Sequence, residues 1–290
     1  MSQDKTRRPL RTTARTLAIW LGVLAALYAG FMVFLWATQD SRLFLARTMT
    51  HERADAAVAQ LPGARHVWID APDGTLLHGW YRAAPAGTPS RGTLLYFGGN
   101  AEDVHWRLGR IDRFAGWDLL LTDCRGYGLS GGKPDQAALQ DDALLWRDRL
   151  AAGLDGIAPQ RPVVVMGTSL GSYFATHVAA QRKIAGAVLV TPFDSVRDYV
   201  QTRMQLMPVG LLLRHPLDSK SLAPQVTAPT LFIVAQQDRT IPPERAQLLA
   251  QAWAGKPLTQ VLVPQANHDT VSADPLYWDA LGRFLSDLPR

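Results

Sequence analysis

The chain has 290 residues, 47% of them hydrophobic, enough for one sizeable core with appendages. Its formal net charge of +5 is concentrated at the start, where Lys5, Arg7, Arg8, Arg11 and Arg15 face only Asp4; the remainder is close to neutral, which excludes a nucleic-acid-binding face. The single cysteine, Cys124, excludes an internal disulfide and any cysteine-based metal cluster.

Residues 17–36 read LAIWLGVLAALYAGFMVFLW, a run without a charge. At ~1.5 Å per residue such a helix reaches ~30 Å, the thickness of a bilayer's hydrocarbon core. Trp20 and Trp36 stand near its ends, where headgroups lie. A cleaved signal peptide is the rival reading, but it needs a shorter apolar region and small residues at the −3 and −1 positions. Cuts after Ala29 or Ala37 would place Leu27 or Leu35 at −3. A buried soluble helix is the other rival, and it is rarely apolar on every face behind a basic tail. The expectation is therefore an uncleaved anchor at 17–36, with residues 1–16 as a basic cytoplasmic tail. The positive-inside rule then sends the rest across the membrane, extracytoplasmic and periplasmic if the source is bacterial.

Residues 37–64 read as a connector, and 65–290 as one catalytic domain. Residues 66–70 and 76–82 flank Pro72-Asp73-Gly74, the signature of a hairpin. Strands are expected at 93–97, 119–122, 162–166, 184–190, 230–234 and 258–263. Helices are expected between them, over about 100–115, 137–152, 170–181, after Pro242-Pro243, and over 270–287. The stretch 83–92 reads as a surface loop. Short apolar runs alternating with helices predict an α/β fold: a mostly parallel sheet with helices on both faces and chemistry at the strands' carboxyl ends.

Gly-x-Ser-x-Gly occurs twice, around Ser169 and around Ser130. A nucleophile elbow needs a strand before the serine and a helix after it, so that the hydroxyl stands above the sheet. Ser169 follows Val-Val-Val-Met and precedes a helical stretch; Ser130 is followed by Gly-Gly-Lys-Pro, which cannot start a helix. Ser169 is thus the expected nucleophile and Ser130 a loop residue. A serine needs a base held by a third group, and in this architecture the chain order is Ser, acid, His. Asp238 follows the strand ending at Val234, and His268 lies in the loop after the last strand. The oxyanion donors are expected to be the backbone N–H groups of Leu170, next to the nucleophile, and of Asn100, in Gly98-Gly99-Asn100-Ala101 after the third strand.

These motifs resemble the membrane-anchored branch of the α/β-hydrolase superfamily, which includes lysophospholipid and monoacylglycerol lipases and protein depalmitoylases. The resemblance covers residues 65–287. It rests on FGGNAED at 97–103, DCRGYGLSGG at 123–132, GTSLGS at 167–172, TPFDSV at 191–196, the run at 215–234, and the DRTIPP and ANHD segments. It implies a small lid insert in the α/β-hydrolase fold and a serine hydrolase activity. The chain departs from the family at Gly98, usually histidine, at Cys124, often aromatic, at Ala235, usually glycine, and at Asp194, often threonine. Asp194 is a possible substitute acid, and Arg125 and Tyr127 belong to a motif that shapes a turn beside the site.

The leading reading is hydrolysis of a carboxylic ester or thioester, with a small-molecule or lipid ester as substrate and no metal or organic cofactor. An aminopeptidase-like serine peptidase, with Asp194 gripping a peptide amine, and a non-catalytic binding protein are the alternatives. An aspartate would be required at position 169 for a dehalogenase or epoxide hydrolase. The insert before Thr230 contains MQLMPVGLLL at 204–213, so Met204, Met207 and Leu212 are the candidates for an acyl-chain slot over the site.

Overall fold

The computed structural model describes residues 8–159, 161–253 and 257–289. The first part of the basic tail, including Lys5 and Arg7, lies outside the described residues. Helix α1 (Arg8–Leu43) runs well beyond the expected span, and α2 (His51–Ala59) follows after a short link. Thr50 caps α2 by accepting from the N–H of Arg53. Then come β1 (Ala64–Asp70), β2 (Leu76–Arg82), β3 (Thr93–Phe97), a 3-10 segment (Val104–Phe114), β4 (Asp118–Thr122), α3 (Gln136–Ala152), β5 (Val163–Thr168) and α4 (Leu170–Gln181). After β6 (Gly186–Val190) the insert folds into three short helices, α5 (Val196–Arg203), α6 (Val209–Leu212) and α7 (Ser219–Leu222). The chain ends with β7 (Thr230–Ala235), α8 (Pro243–Ala252), β8 (Leu258–Val263) and α9 (Pro275–Asp287).

The eight strands form one sheet in the order β1-β2-β4-β3-β5-β6-β7-β8. The first pairings, β1 with β2 and β2 with β4, are antiparallel; every later pair is parallel. The expected hairpin forms because Gly74 takes a positive φ of 81° and closes the turn by donating to Ala71 O. Strands β3 to β6 are buried throughout except at Thr168, the last residue of β5, as continuous Val/Leu runs require when helices cover both faces. One face packs against α3, α4 and α8 through Leu139, Trp146, Phe174 and Leu249; the other packs against the 3-10 segment and α9 through Leu108, Phe114, Tyr277 and Leu281.

Helix starts follow local chemistry. Asp135 accepts from the N–H groups of Ala137 and Ala138, and Asp274 accepts from Leu276 with Pro275 in the first turn of α9. The stretch read as a helix up to residue 115 is 3-10 over Val104–Phe114, with a kink at Arg110; the final helix begins at Pro275, after a 3-10 turn at Val271–Ala273. Helix α1 projects from this body with its apolar side chains exposed, and Thr13–Leu43 is long and apolar enough to cross a membrane.

Candidate active site

The elbow after β5 forces Ser169 to φ 52° and ψ −117°, a region that costs on the order of 1–3 kcal/mol for a residue with a side chain. Two glycines make it possible. A Cβ on Gly167 would lie 2.1 Å from Gly171 O, and a Cβ on Gly171 would lie 2.1 Å from Phe97 O. The Gly-x-Ser-x-Gly spacing is therefore a steric requirement for bringing α4 against β3 and β5. The N–H of Ser169 is occupied by Val190 O at 2.9 Å, which holds the elbow to β6.

His268, in the loop after β8, places Nε2 3.0 Å from Ser169 Oγ and Nδ1 2.6 Å from Asp238 Oδ2. A carboxylate only accepts, so Nδ1 carries the proton and Nε2 offers its lone pair to the serine hydroxyl. Asp238 is buried, and its other oxygen accepts the N–H groups of Thr240 and Ile241, both at 2.8 Å. Three residues far apart in sequence thus form one hydrogen-bonded chain whose base is oriented by a fully satisfied acid. Such a chain can remove the serine proton and return it to a leaving group.

Asp194, the other acid considered, is buried and points away, accepting from Arg245 Nη1 at 3.1 and 3.3 Å. Its carboxylate is committed to an ion pair. Ser130 is buried as well, accepting from His78 N–H at 2.9 Å and donating to Asp123 O at 2.7 Å. It ties β2 to the end of β4.

Leu170 is the first residue of α4, directly after Ser169, and Asn100 lies in the loop after β3. Gly99 lies next to the serine, where a Cβ on it would be in ordinary contact, 3.7 Å, with Ser169 Cβ. Neither the Leu170 nor the Asn100 backbone amide donates to a protein acceptor among the described residues. Both polar atoms of the Asn100 side chain are engaged: Oδ1 accepts from Tyr127 Oη and Leu45 N–H, each at 2.8 Å, and Nδ2 donates to Leu43 O at 2.7 Å. Tyr127 thus shapes the site through this contact, and Arg125 braces the motif by a bidentate pair with Asp142.

A buried network under the loop is absent from the sequence reading. Glu102 Oε2 accepts from Gly99 N–H and from Tyr96 Oη, both at 2.7 Å, while Oε1 accepts from Arg107 at 3.1 Å. Arg107 also reaches Tyr277 and Thr168, and Tyr96 accepts from the Thr168 hydroxyl at 2.9 Å. Burial pushes the Glu102 carboxyl up, but the Arg107 charge and the donors from Gly99, Tyr96 and Arg107 together hold it below its ordinary value. The only sequence signal was that Glu102 falls inside the FGGNAED motif and that Arg107 is a charge among apolar neighbours.

Met204, Met207 and Leu212 do come together, but not over the serine. With Leu35, Trp36 and Leu43 of α1 they line a cavity of about 300 Å³ between the insert and the apolar helix. The two depressions beside His268 carry no residue of 196–213. One, of about 490 Å³, includes Gly99, Asn100 and Thr168; the other, of about 740 Å³, includes Asp238, Arg239 and Asn267. The insert is held against α1, by Tyr28 to Leu206 O and Gln39 to Leu212 O, instead of forming the expected roof. No cluster of three or more His, Cys, Asp or Glu side chains among the described residues has the arrangement of a metal site.

A family model for serine hydrolases matches residues 133–286. The uncharacterized protein Rv2307c of Mycobacterium tuberculosis is 30% identical, covering 92% of this chain and 94% of its own length. The α/β-hydrolase domain-containing protein WAV2 of Arabidopsis thaliana is 28% identical over 76% of this chain and 77% of its own. Among solved structures, the Pyrococcus furiosus esterase Pf2001 aligns with a TM-score of 0.65 at 17% identity, covering 84% of this chain and 98% of the esterase. An acetyl xylan esterase from Paenibacillus sp. R4 aligns at 0.59 with 22% identity, covering 82% and 93%. At these identities the two structures speak for the fold.

Proposed function

The chain belongs to the serine hydrolases of the α/β-hydrolase superfamily, and from that premise we propose that it cleaves carboxylic ester or thioester bonds of acyl-chain substrates through an acyl-enzyme on Ser169. The observation that carries this reading is the unbroken hydrogen-bond chain from Ser169 through His268 to Asp238, on an elbow that holds Ser169 at a positive φ. His268 takes the serine proton as Oγ attacks the carbonyl carbon. The N–H groups of Leu170 and Asn100 receive the oxyanion, and Asp238 stabilises the imidazolium. His268 then gives its proton to the departing alcohol or thiol. Water, deprotonated by the same imidazole, releases the acid and restores the serine.

Helix α1 is the membrane anchor in this reading, with the basic tail cytoplasmic and the hydrolase domain on the other side. Its length, its exposed apolar faces and the charge asymmetry across it support that placement. The lining of the cavity beside Met204, Met207 and Leu212 favours an acyl chain over a small acetyl group. Asp194 supported a peptidase reading, but its pairing with Arg245 leaves no carboxylate to grip a peptide amine. The test is labelling of membranes holding the full chain with a fluorophosphonate. Wild type should label and Ser169→Ala should not, and turnover of p-nitrophenyl esters should follow the same pattern. Equal labelling of both would remove Ser169 as nucleophile.

A further inference from the structure

The insert touches α1 far below the point where that helix meets the domain. Tyr28 Oη donates to Leu206 O at 2.8 Å, and Gln39 Nε2 donates to Leu212 O at 3.1 Å. Arg214 stacks on Trp36 at 5.1 Å from the ring centroid and pairs with Asp40 at 2.8 Å. Trp36 and Arg214 are the kinds of residue that mark a membrane interface. Tyr28 stands about 12 Å deeper along the helix, and its side chain leans towards the helix N-terminus, away from the domain. Leu206 therefore hangs at a depth where α1 is surrounded by hydrocarbon if it spans a bilayer.

The segment is built for such a medium. Residues 204–213 carry no charge and are bounded by Arg203 and Arg214. Leu206 is 92% exposed and Leu211 87% exposed, unusual for two leucines so close together. Every backbone carbonyl from Met204 to Val209 is nevertheless paired. Met207, Val209, Leu211 and Leu213 donate N–H groups to the carbonyls of Met204, Met207, Pro208 and Val209. Gln201 Nε2 reaches Met204, Gln205 and Met207, and Tyr28 takes Leu206. A loop in water has no need of such internal satisfaction; a loop in lipid does, because unpaired polar groups cost several kcal/mol there.

We propose that residues 204–213 form a second membrane contact, dipping into the leaflet next to the hydrolase domain, and that the cavity between them and α1 is a port through which the acyl chain of a bilayer lipid enters. The occupant is a lipid acyl chain because the walls are apolar and the outer side of the port faces the surroundings of the anchor. Leu43, one of its wall residues, holds Asn100 through its carbonyl, so an ester at the end of a buried chain would arrive beside the oxyanion loop. This inference rests on the membrane-anchored acyl hydrolase reading above and names where its substrate comes from.

The experiment uses the full chain in nanodiscs of phosphatidylcholine and phosphatidylglycerol. Leu206→Cys, Leu211→Cys and, as a water-facing reference, Lys183→Cys are each labelled with the environment-sensitive dye NBD. Cys124 will not compete, since burial and the charges of Asp123, Asp142 and Glu102 push its thiol up to about 12. Blue-shifted emission at 206 and 211, quenched by lipids with a doxyl group high on the acyl chain, is expected, with neither effect at 183. Water-like, unquenched emission at both leucine positions would overturn the proposal. A second arm compares Leu206→Asp/Leu211→Asp with wild type: turnover of a long-chain ester held in the nanodisc should fall by about tenfold or more, with a soluble butyryl ester unaffected. Equal turnover of the bilayer ester would equally overturn the port. Failure of the wild type to hydrolyse any ester would count against the hydrolase reading alone, since dye quenching reports the membrane contact without turnover.

Discussion

Asn100 clasps the end of the long apolar helix α1: its side-chain amide donates to Leu43 O while its carbonyl oxygen accepts from Leu45 N–H. The same residue offers its backbone N–H to the proposed oxyanion position. The exit of α1 and the loop after β3 are thus tied to each other through one side chain. Replacing Asn100 by alanine keeps the backbone N–H but frees the loop, so any loss reports positioning. We expect kcat to fall about 10–100-fold, with KM changing far less, because a donor misplaced by an ångström fails mainly in the transition state. Unchanged kcat would mean that Gly99 and Glu102 hold the loop unaided.

The two serines of the repeated motif should separate cleanly. Ser169→Ala and His268→Ala are each expected to remove turnover to a similar floor, because the three residues act as a unit. Ser130→Ala should keep most of the activity yet lower stability by about 1–3 kcal/mol, since it leaves the buried His78 N–H without its acceptor. Kinetics with a short ester and a denaturant titration of each variant check both halves.

Much of the proposed site was legible because its rules are local. Ser169 announced itself through a strand, two glycines and a helix, all within a few residues. Asp238 and His268 followed from chain order and from their loops after late strands. The long-range contacts were not legible. Glu102 to Gly99 is a short step in sequence, but its meaning depends on Tyr96, Arg107, Thr168 and Tyr277 arriving from four elements. The place of the insert depends on bonds such as Tyr28 to Leu206, across most of the chain, and no periodicity encodes them. Hence the apolar insert was readable and its seat against α1 was not.

Glu102 should separate stability from positioning. Glu102→Gln removes the charge beside buried Arg107, and breaking a buried pair costs about 3–5 kcal/mol. It also weakens the acceptor that holds Gly99 N–H. In the double variant Glu102→Gln/Arg107→Met the unpaired charge is gone, so Tm should recover in part while kcat stays low. Recovery of kcat along with Tm would reduce the network to a purely structural role.

Acid sensitivity should begin near neutrality. Burial and the neighbouring His78 charge lower His66 below its ordinary 6.5, against the opposing pull of Asp55; burial and Arg182 lower His177, against Asp141. A histidine whose folded value is depressed takes up its proton more readily when unfolded, so the unfolded chain gains protons first. Stability is then full above about pH 6.5 and declines as the pH falls through the folded values. Tm measured from pH 8 to pH 5 should drop below pH 6.5, and His177→Gln should shallow that drop. A flat profile in wild type would show that neither imidazole is kept neutral by the fold.

Chain-length selectivity tests the cavity itself. Met204, Met207 and Leu212 face Leu35, Trp36 and Leu43 across about 300 Å³ of apolar space, so each methylene that enters leaves water for a hydrocarbon wall. At about 0.8 kcal/mol per buried CH₂, four added carbons amount to about 3 kcal/mol, or more than about a hundredfold in kcat/KM. We expect kcat/KM to climb from butyryl to about C8–C12 esters and then to level off as the cavity fills. Leu212→Asp places a charge in that wall and should flatten the climb; because Leu212 belongs to a short helix outside both cores, Tm should hold. Soluble p-nitrophenyl esters of graded length, assayed in detergent, give the slope without any contribution from the bilayer. A wild-type preference for acetyl or butyryl esters would remove the acyl cavity from the reading while leaving the serine, histidine and aspartate where they are.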